Sequence, residues 1–405
     1  MTISPPEATT TKLENTGQLG YKKHTDGGWG LVPIQTRSER FASTVVEDFP
    51  AVTGREAVWK LTPIDRVADL IDGPLDGGDY SFTATEAAGV DVRWVDRSDA
   101  RIGSAGKPEE RASANAWTQF GRALAVTVSG EETKTVRLSR SELGSGSRAA
   151  HVIVEAKPFS TGLVILANTG QARLTENVEI IVGDGANLTV VTVQQWDDDA
   201  VHLASHFTTV GRDARVKHVV VTLGGSLVRV NPSTHLNAQG GEVEALGLYF
   251  ADAGQHLEQQ VYVDHDAPHT RSRVTYKGAL QGAGARTVWV GDVLIRQTAT
   301  GTDSYEQNRN LVLTDGTRAD SVPNLEIETG DIAGAGHASA TGRFDDEQLF
   351  YLQARGIRED EARRLVVRGF LTEIVQQIGD PELQERLEIA IEEELNGTSL
   401  STDGR

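Results

Sequence analysis

The sequence predicts a mainly β protein with a β-helix (solenoid) as its core, flanked by a small N-terminal mixed or helical region and a C-terminal helical bundle. Apolar and polar residues alternate with period two from about residue 123 to 332. The turn-to-strand junctions Gly185, Asp213, Gly240 and Ala267 follow one another at intervals of 28, 27 and 27 residues. A period of this size is typical of stacked coils. Helical spacing dominates only in the C-terminal part.

Composition excludes several classes of function. The 405 residues include 58 acidic and 39 basic side chains, for a net charge of −19, and no cysteine. The negative charge argues against a nucleic-acid partner, because phosphate binding depends on clustered Lys and Arg. The lack of cysteine excludes disulfides, thiolate nucleophiles and clusters held by this chain's own thiolates. No apolar run spans a membrane and the N-terminus lacks a signal-peptide pattern, so we expect a cytoplasmic protein and no membrane partner.

The N-terminal part is irregular. Residues 1–30 are polar and rich in Thr, Gly and Pro, which predicts a flexible N-terminus. Residues 31–115 form a mixed region, in which helix-like apolar spacing is broken by Pro50 and Pro63. Beyond them, loops and short strands lead into the β-helix.

The β-helix core is expected over residues 116–335 and a helical domain over residues 340–397, with a disordered tail at 398–405. Three helices are predicted in the helical domain. The first ends at Gly356, a residue suited to the left-handed C-terminal position, and the third begins after Asp380, a favourable N-cap.

Nucleotide-binding signatures are absent. Residues 103–107 resemble a phosphate loop, but the spacing is too short and Pro108 follows where Ser or Thr would bind Mg²⁺. The segments GDGANL, GAGART and GAGHAS begin like dinucleotide motifs but lack the third glycine, and they lie between strands.

Two histidine pairs and one acidic run have a spacing that metal ligands could use. His202 and His206 are four residues apart, as are His265 and His269. We favour their interpretation as surface or turn histidines over metal ligands. The run 197–199 is three aspartates, which could bind a hard cation but which we interpret as an acidic turn.

His337 is the strongest single candidate for a functional side chain. It lies in GAGHASATG, which we interpret as a turn of small residues between the last strand and the first C-terminal helix. Small neighbours leave an imidazole accessible, and imidazole binds metals and exchanges protons near neutral pH.

The segment NLEIETGDIAGAGHASATGRFDDEQLFYLQARG closely resembles the C-terminal signature of the SufB/SufD family of iron–sulfur cluster assembly proteins. Upstream, FPAVTGREAVWKLTPID resembles the family's N-terminal element. The resemblance is continuous from about Thr298 to Ile378 and weaker elsewhere. It implies a right-handed parallel β-helix, in agreement with the period of the sequence.

The resemblance is greatest to SufD, since the scaffold paralogue SufB uses a core cysteine that this chain lacks. It implies a non-catalytic subunit of a SufB–SufC–SufD complex for de novo cluster assembly. In that family the β-helices of SufB and SufD pair edge to edge, and the C-terminal helices dock the ABC-type ATPase SufC. A homodimer is the expected alternative in the absence of SufB.

The resemblance also implies site residues. His337 matches a family histidine that helps to bind transient iron or a nascent cluster at the interface with SufB. Many relatives carry cysteine at the position of Ala335, so other ligands must come mainly from SufB. The expected SufC contacts are Phe350, Tyr351, Arg355, Gly356 and Ile357.

Two enzyme classes are the alternatives. A β-helix polysaccharide lyase would need a carboxylate and an Arg or Lys cluster on one face. A cupin-like metalloenzyme would use His265 and His269 with a carboxylate such as Asp266, but Pro268 lies between the histidines and a second spaced motif is missing.

Overall fold

Two nine-stranded sheets form the centre of the molecule. The computed structural model describes residues 40–85, 87–343 and 346–397. Within these residues sixteen strands wind as eight coils, and each coil gives one strand to each sheet. The predicted β-helix is therefore confirmed. The flexible N-terminus predicted for residues 1–30 and the disordered tail predicted for 398–405 lie outside the described residues.

The two sheets and the helices have the following bounds. Sheet A contains β2 (Val90–Asp96), β3 (Arg122–Val128), β5 (Gly144–Ala156), β7 (Ala172–Val182), β9 (Val201–Val210), β11 (Leu227–Leu236), β13 (His256–His265), β15 (Arg286–Ile295) and β17 (Arg318–Ile327). Sheet B contains β1 (Thr83–Ala84), β4 (Lys134–Ser141), β6 (Thr161–Gly170), β8 (Asn187–Trp196), β10 (Arg215–Thr222), β12 (Glu242–Ala251), β14 (Arg271–Leu280), β16 (Thr302–Val312) and β18 (Ile332–Gly342). The helices are α1 (Ala68–Asp72), α2 (Arg111–Gln119), α3 (Asp346–Ala354), α4 (Glu359–Val375) and α5 (Pro381–Gly397), with 3-10 turns at Val46–Asp48 and Ile64–Arg66.

Successive coils stack in register. In sheet B, Asn187, Arg215, Glu242, Arg271 and Asp303 lie side by side on parallel strands, so these coils are 28, 27, 29 and 32 residues long. The apolar–polar alternation survives the longer coils because the extra residues are placed in the turns. This lengthening explains why the sequence period fades in the last third of the β-helix.

The predicted junctions mark a stack of turns. Gly185, Asp213 and Gly240 have positive φ angles of 64°, 51° and 73°. The equivalent residue of the next coil is His269, with a φ of 57°, so the prediction of Ala267 is wrong by two residues. The backbone N–H of each of the four donates to a carbonyl of the following coil at 2.7–3.2 Å. This hydrogen bond requires the left-handed conformation, which glycine and asparagine-like residues adopt most easily.

The N-terminal region covers the outer face of sheet A. Trp59 and the α1 residues Leu70 and Ile71 are buried against Val201 and Leu203 of β9. Helix α2 packs beside them through Trp117 and other apolar side chains, and Phe120, directly after the helix, belongs to the same cluster.

The C-terminal helices cover the outer face of sheet B. Leu371 and Ile374 of α4 and Leu387 and Ile391 of α5 are fully buried against strand residues that include Phe250. The predicted N-cap of α5 is confirmed, because the Asp380 carboxylate accepts the Leu383 N–H at 2.8 Å. The cover of sheet B is partial, since the outward-facing side chains of Lys217, Glu244 and Arg273 remain partly exposed.

Candidate functional site

His337 lies in a strand, so its prediction as a turn residue is wrong. Strand β18 runs from Ile332 to Gly342 and pairs in parallel with β16. Backbone pairing with β16 overrides the weak strand propensity of the Gly and Ala residues around the histidine. The β-helix therefore continues seven residues beyond the predicted boundary at residue 335.

A β-bulge decides which way His337 faces. Ile332 pairs with Thr302, but the next pair is Gly334 with Asp303, so Ala333 is an inserted residue. Because side chains alternate along a strand, this insertion moves all later residues of β18 to the opposite face. His337 consequently pairs with Glu306 and shares its face of sheet B.

The Glu306 carboxyl lies inside the β-helix, next to the strand that carries the exposed His337. Its side chain is 1% exposed, and neither oxygen has a hydrogen-bond partner. Burial is the larger cause and the nearby charge of Asp292 the smaller one, and together they raise the pKa of Glu306 to about 8. A buried carboxyl with this environment is protonated near neutral pH.

A hydrogen-bonded group of polar side chains lies further along β16, beyond Glu306. The hydroxyl of Tyr249 donates to Asn310 at 2.7 Å and accepts from the amide of Asn308 at 2.8 Å. Ser321 of β17 donates to Asn308 at 2.7 Å, and the Asn310 amide reaches Thr341 of β18 at 3.3 Å. These contacts tie the last two coils together and fix the backbone on which His337 sits.

β17 and β18 are the terminal strands of the two sheets among the described residues. Each has one neighbouring strand within its sheet, so its other edge is available for pairing. Tyr305, 41% exposed, lies on the outer face of β16 beside Gly336. The site is therefore a sheet edge with an exposed imidazole and a buried carboxyl.

The other histidines have structural roles. His202, His206 and His265 are at most 1% exposed, and only His269 lies exposed in a turn, so the surface interpretation is wrong for the first three. Residues four apart share one face of a strand, and here that face is the interior. When both faces of a strand are buried, its sequence does not show which of the two faces the interior of the β-helix.

His202 is paired with a charged group, and His206 is paired with another histidine. His202 Nε2 lies 2.8 Å from Glu176, whose carboxylate also accepts from Arg140 at 2.6 Å. Burial raises the pKa of Glu176, but the charge of Arg140 and the hydrogen bond from His202 outweigh it and hold that pKa well below the usual range. Ring nitrogens of His206 and His218 are 3.1 Å apart, and burial lowers the pKa of both, to about 4 for His218.

The cupin-like arrangement is not formed. Both ring nitrogens of His265 are occupied, at 2.8 Å from Thr270 Oγ1 and 2.9 Å from Ser272 Oγ, whereas His269 is exposed. In the part of the chain that the structure describes, no group of three or more His, Cys, Asp or Glu side chains could hold a metal ion. The aspartates at 197–199 form an exposed turn, as predicted.

The glycine-rich segment that resembled a phosphate loop binds an internal carboxylate. The backbone N–H groups of Gly103 and Ala105 donate to Glu179 at 2.8–3.1 Å. Glu179 also contacts His151 at 2.9 Å inside the protein. The segment therefore anchors the N-terminal region to the β-helix.

A second exposed surface lies on α3, where the predicted SufC contacts are. Phe350 and Tyr351 are 72% and 54% exposed, and the Arg355 guanidinium lies 4.5 Å from the centre of the Tyr351 ring. Gly356 has a φ of 85°, and it and Ile357 donate to the carbonyls of Gln353 and Leu352 at 2.9 and 3.2 Å. These two hydrogen bonds form a Schellman motif, which confirms the predicted end of the helix.

Leu365 of α4 is 44% exposed, although it follows the 3–4 apolar spacing of the helix. Ile374, which follows the same spacing, is fully buried against sheet B together with Val367 and Leu371.

None of the helices in the described ranges is long and apolar enough to cross a bilayer.

The fold and the site together define a β-helix protein whose candidate site lies at an open sheet edge and not in an enclosed cleft. The chain matches the family model described as "SUF system FeS cluster assembly, SufBD core domain" over residues 138–370. The chain therefore belongs to the SufBD family of iron–sulfur cluster assembly proteins. Neither the lyase nor the cupin alternative is favoured by this result.

Relatives of known family support the assignment over most of the chain. An iron–sulfur cluster assembly SufBD family protein of Mycobacterium bovis is 49% identical over 372 residues, covering 89% of this chain and 94% of the relative. One of Mycobacterium leprae is 48% identical over 368 residues, covering 88% and 94%. A second M. leprae protein of the family is 30% identical over 201 residues, which is 50% of this chain and 23% of that protein. One organism thus carries two SufBD family paralogues.

Proposed function

We propose that this chain is the SufD-like, non-catalytic subunit of a cytoplasmic SufB–SufC–SufD complex that assembles iron–sulfur clusters de novo. Its β-helix pairs with a SufB paralogue, and its C-terminal helices dock the SufC ATPase. Transient iron or a nascent cluster is held at the SufB interface near His337. In the absence of SufB, the same sheet edge pairs two copies of this chain.

The observation that carries the proposal is the exposed His337 on β18, the terminal strand of sheet B in the described residues. A terminal strand presents backbone donors and acceptors that a strand of another protein can complete. A histidine on that strand is then placed at the interface, where a second protein can add ligands.

The absence of cysteine supports a shared site. Iron–sulfur clusters are held chiefly by thiolates, and this chain has none. Ala335, two residues before His337, carries no ligand atom in its side chain. The sulfur ligands must therefore come from the partner, which agrees with a subunit that completes a scaffold.

The α3 surface supports the docking role. Phe350 and Tyr351 are large exposed side chains, and Tyr and Arg are enriched among residues that dominate interface energies. Helices α4 and α5 are packed on sheet B, so a movement that SufC imposes on the helical region is transmitted to the strands.

Point substitutions on α3 test the docking role better than removal of the helices, because removal would expose the apolar outer face of sheet B. The chain and its Phe350→Asp and Tyr351→Asp variants are co-expressed with the cognate SufB and SufC. Size-exclusion chromatography with mass detection then gives the complex composition. We expect both variants to keep SufB and lose SufC. Ile389→Asp, at a 52% exposed position of α5, is the matched control and should retain both partners.

A second experiment tests the role of His337. Purified complexes with His337→Ala are reconstituted anaerobically with iron, sulfide and ATP, and cluster formation is followed by visible absorbance. We expect an intact complex with little cluster. Ser339→Ala changes the exposed side chain two residues further along the same strand and should assemble clusters normally. Equal cluster formation by the two variants would contradict the proposed site.

A further inference from the structure

Glu306 and His337 occupy matched positions on neighbouring parallel strands. They are register partners of β16 and β18, and their side chains leave the sheet on the same face. Neighbouring strands lie about 4.8 Å apart, which places a carboxylate and an imidazole within the span of a single metal ion. This pairing exists only because of the bulge at Ala333, without which His337 would pair with Gln307 on the opposite face.

No hydrogen bond in the interior explains why a carboxyl group occupies the position of Glu306. Its side chain is 1% exposed and neither oxygen is hydrogen-bonded. Gly291 faces it across the interior, where any larger residue would overlap the Glu306 carboxyl and the Trp289 ring. The Trp289 Nε1–H is also buried without an acceptor. A buried polar group left unpaired costs free energy, so its presence points to a function outside the packing of the core.

We propose that Glu306 is a second iron ligand supplied by this chain, which acts together with His337. The proposal rests on the proposed function, since it names a further ligand at the same interface. Rotation of the Glu306 side chain toward the open edge brings its carboxylate alongside the His337 imidazole. One imidazole nitrogen and one carboxylate oxygen are a ligand pair that ferrous iron accepts.

Two ligands make an incomplete site. Among the described residues no third His, Asp or Glu completes a metal-binding group here. The remaining coordination positions of the ion must be filled by water, sulfide or the partner subunit. Such a site holds iron weakly in the isolated chain and more tightly once the partner closes it, which suits an ion that is passed on.

Binding of Co²⁺ to the isolated, untagged chain tests the inference without cluster assembly. Co²⁺ reports its ligands through visible absorption bands, and calorimetry gives the affinity. We expect Glu306→Gln and His337→Gln each to weaken Co²⁺ binding by about tenfold or more and to change the spectrum. Glu328→Gln is the matched control, because Glu328 is an exposed carboxylate just beyond β17 at the same end of the β-helix. It should bind within twofold of the wild type.

The outcomes separate this inference from the proposed function. If His337→Gln loses binding and Glu306→Gln does not, the role of Glu306 is overturned and the His337 site stands. If neither substitution alters binding, the iron site itself is overturned. A wild-type chain that fails to bind Co²⁺ would also overturn the two-ligand site. Thermal unfolding of Glu306→Gln, an isosteric change, verifies that the variant is folded, and Glu306→Asp repeats the test with a shorter carboxylate.

Discussion

Arg229 and Glu258 form a buried ion pair, 3.0 Å apart, on neighbouring strands of sheet A. Their side chains are 1% and 0% exposed, and the Arg229 guanidinium lies 4.0 Å from the centre of the Trp59 ring. Glu258 also accepts from the Thr62 hydroxyl at 2.9 Å. Trp59 and Thr62 belong to the segment EAVWKLT that resembled the family's N-terminal element. The ion pair is therefore the anchor by which this element is held on the β-helix.

Loss of one partner of this pair should be costly. Glu258→Ala leaves the buried Arg229 charge with only the more distant Glu110 carboxylate, 3.8 Å away, and we expect a loss of about 3 kcal/mol of unfolding free energy. Urea unfolding measures it. Glu244→Ala breaks the half-exposed pair with Lys217, 2.9 Å apart, and should cost at most about 1 kcal/mol. Similar losses in the two variants would contradict the burial argument.

The interior histidines should make the protein sensitive to acid. Burial lowers the pKa of His265 to about 4, against an ordinary value of 6.5. The unfolded chain takes up a proton below pH 6.5 and the folded chain does not until about pH 4. The stability from the neutral imidazole is therefore complete above pH 6.5 and is lost as the pH falls toward 4. At pH 5 the loss amounts to about 2 kcal/mol for this one group.

A variant pair isolates this effect. Unfolding free energies of His265→Gln should fall less steeply between pH 7 and pH 5 than those of the wild type. His269→Asn, four residues along and exposed in a turn, should keep the wild-type slope. Parallel slopes for His265→Gln and the wild type would show that this histidine does not contribute.

Two glycines should respond in opposite directions to alanine. A Cβ at Gly247 would overlap the buried ring of Tyr276, and we expect Gly247→Ala to cost about 1–3 kcal/mol. Gly369 lies in the middle of α4 with nothing within 4 Å of an added Cβ, so Gly369→Ala should gain about 0.5–1 kcal/mol from helix propensity. Thermal unfolding midpoints that move in the same direction for both variants would contradict this assignment.

Asp380 joins the start of α5 to sheet B. Besides capping the helix, its carboxylate lies 2.6 Å from Arg137 of β4. We expect Asp380→Ala to cost about 1–2 kcal/mol, since it removes the N-cap and leaves the cation without its buried partner. Glu382, 68% exposed, also contacts Arg137, at 3.0 Å. Glu382→Ala is therefore the control in the same urea titration, and a comparable loss there would mean that capping contributes little.

Local features of the fold could be predicted because they depend on neighbouring residues. Alternation along each strand, glycine at a positive-φ turn and an N-cap before a helix are determined within a few positions of the chain. Gly185, Gly240, Gly356 and Asp380 lie where these rules place them. Prediction from the period fails at the next coil. That coil is longer, so its turn residue is His269 and not the predicted Ala267.

The candidate site could be predicted only in part. His337 was found from its small neighbours and from the family resemblance, but Glu306 was not found. In the sequence Glu306 lies between Tyr305 and Gln307 and resembles an ordinary exposed position. Glu306 is recognised only from its pairing with His337, which lies on a strand one coil later. The residues next to Glu306 in the sequence carry no sign of this pairing.

The sequence by itself determined the period of the coils, the order of β-helix and helices, and the absence of thiolate ligands, because these are properties of composition and local spacing. Only the tertiary structure decided which side chains lie inside. Both faces of β9 and of β13 are buried, so alternation alone cannot distinguish interior from outer face for His202 or His265. A single inserted residue, Ala333, sets the face of His337, since pairing with a distant strand fixes the register.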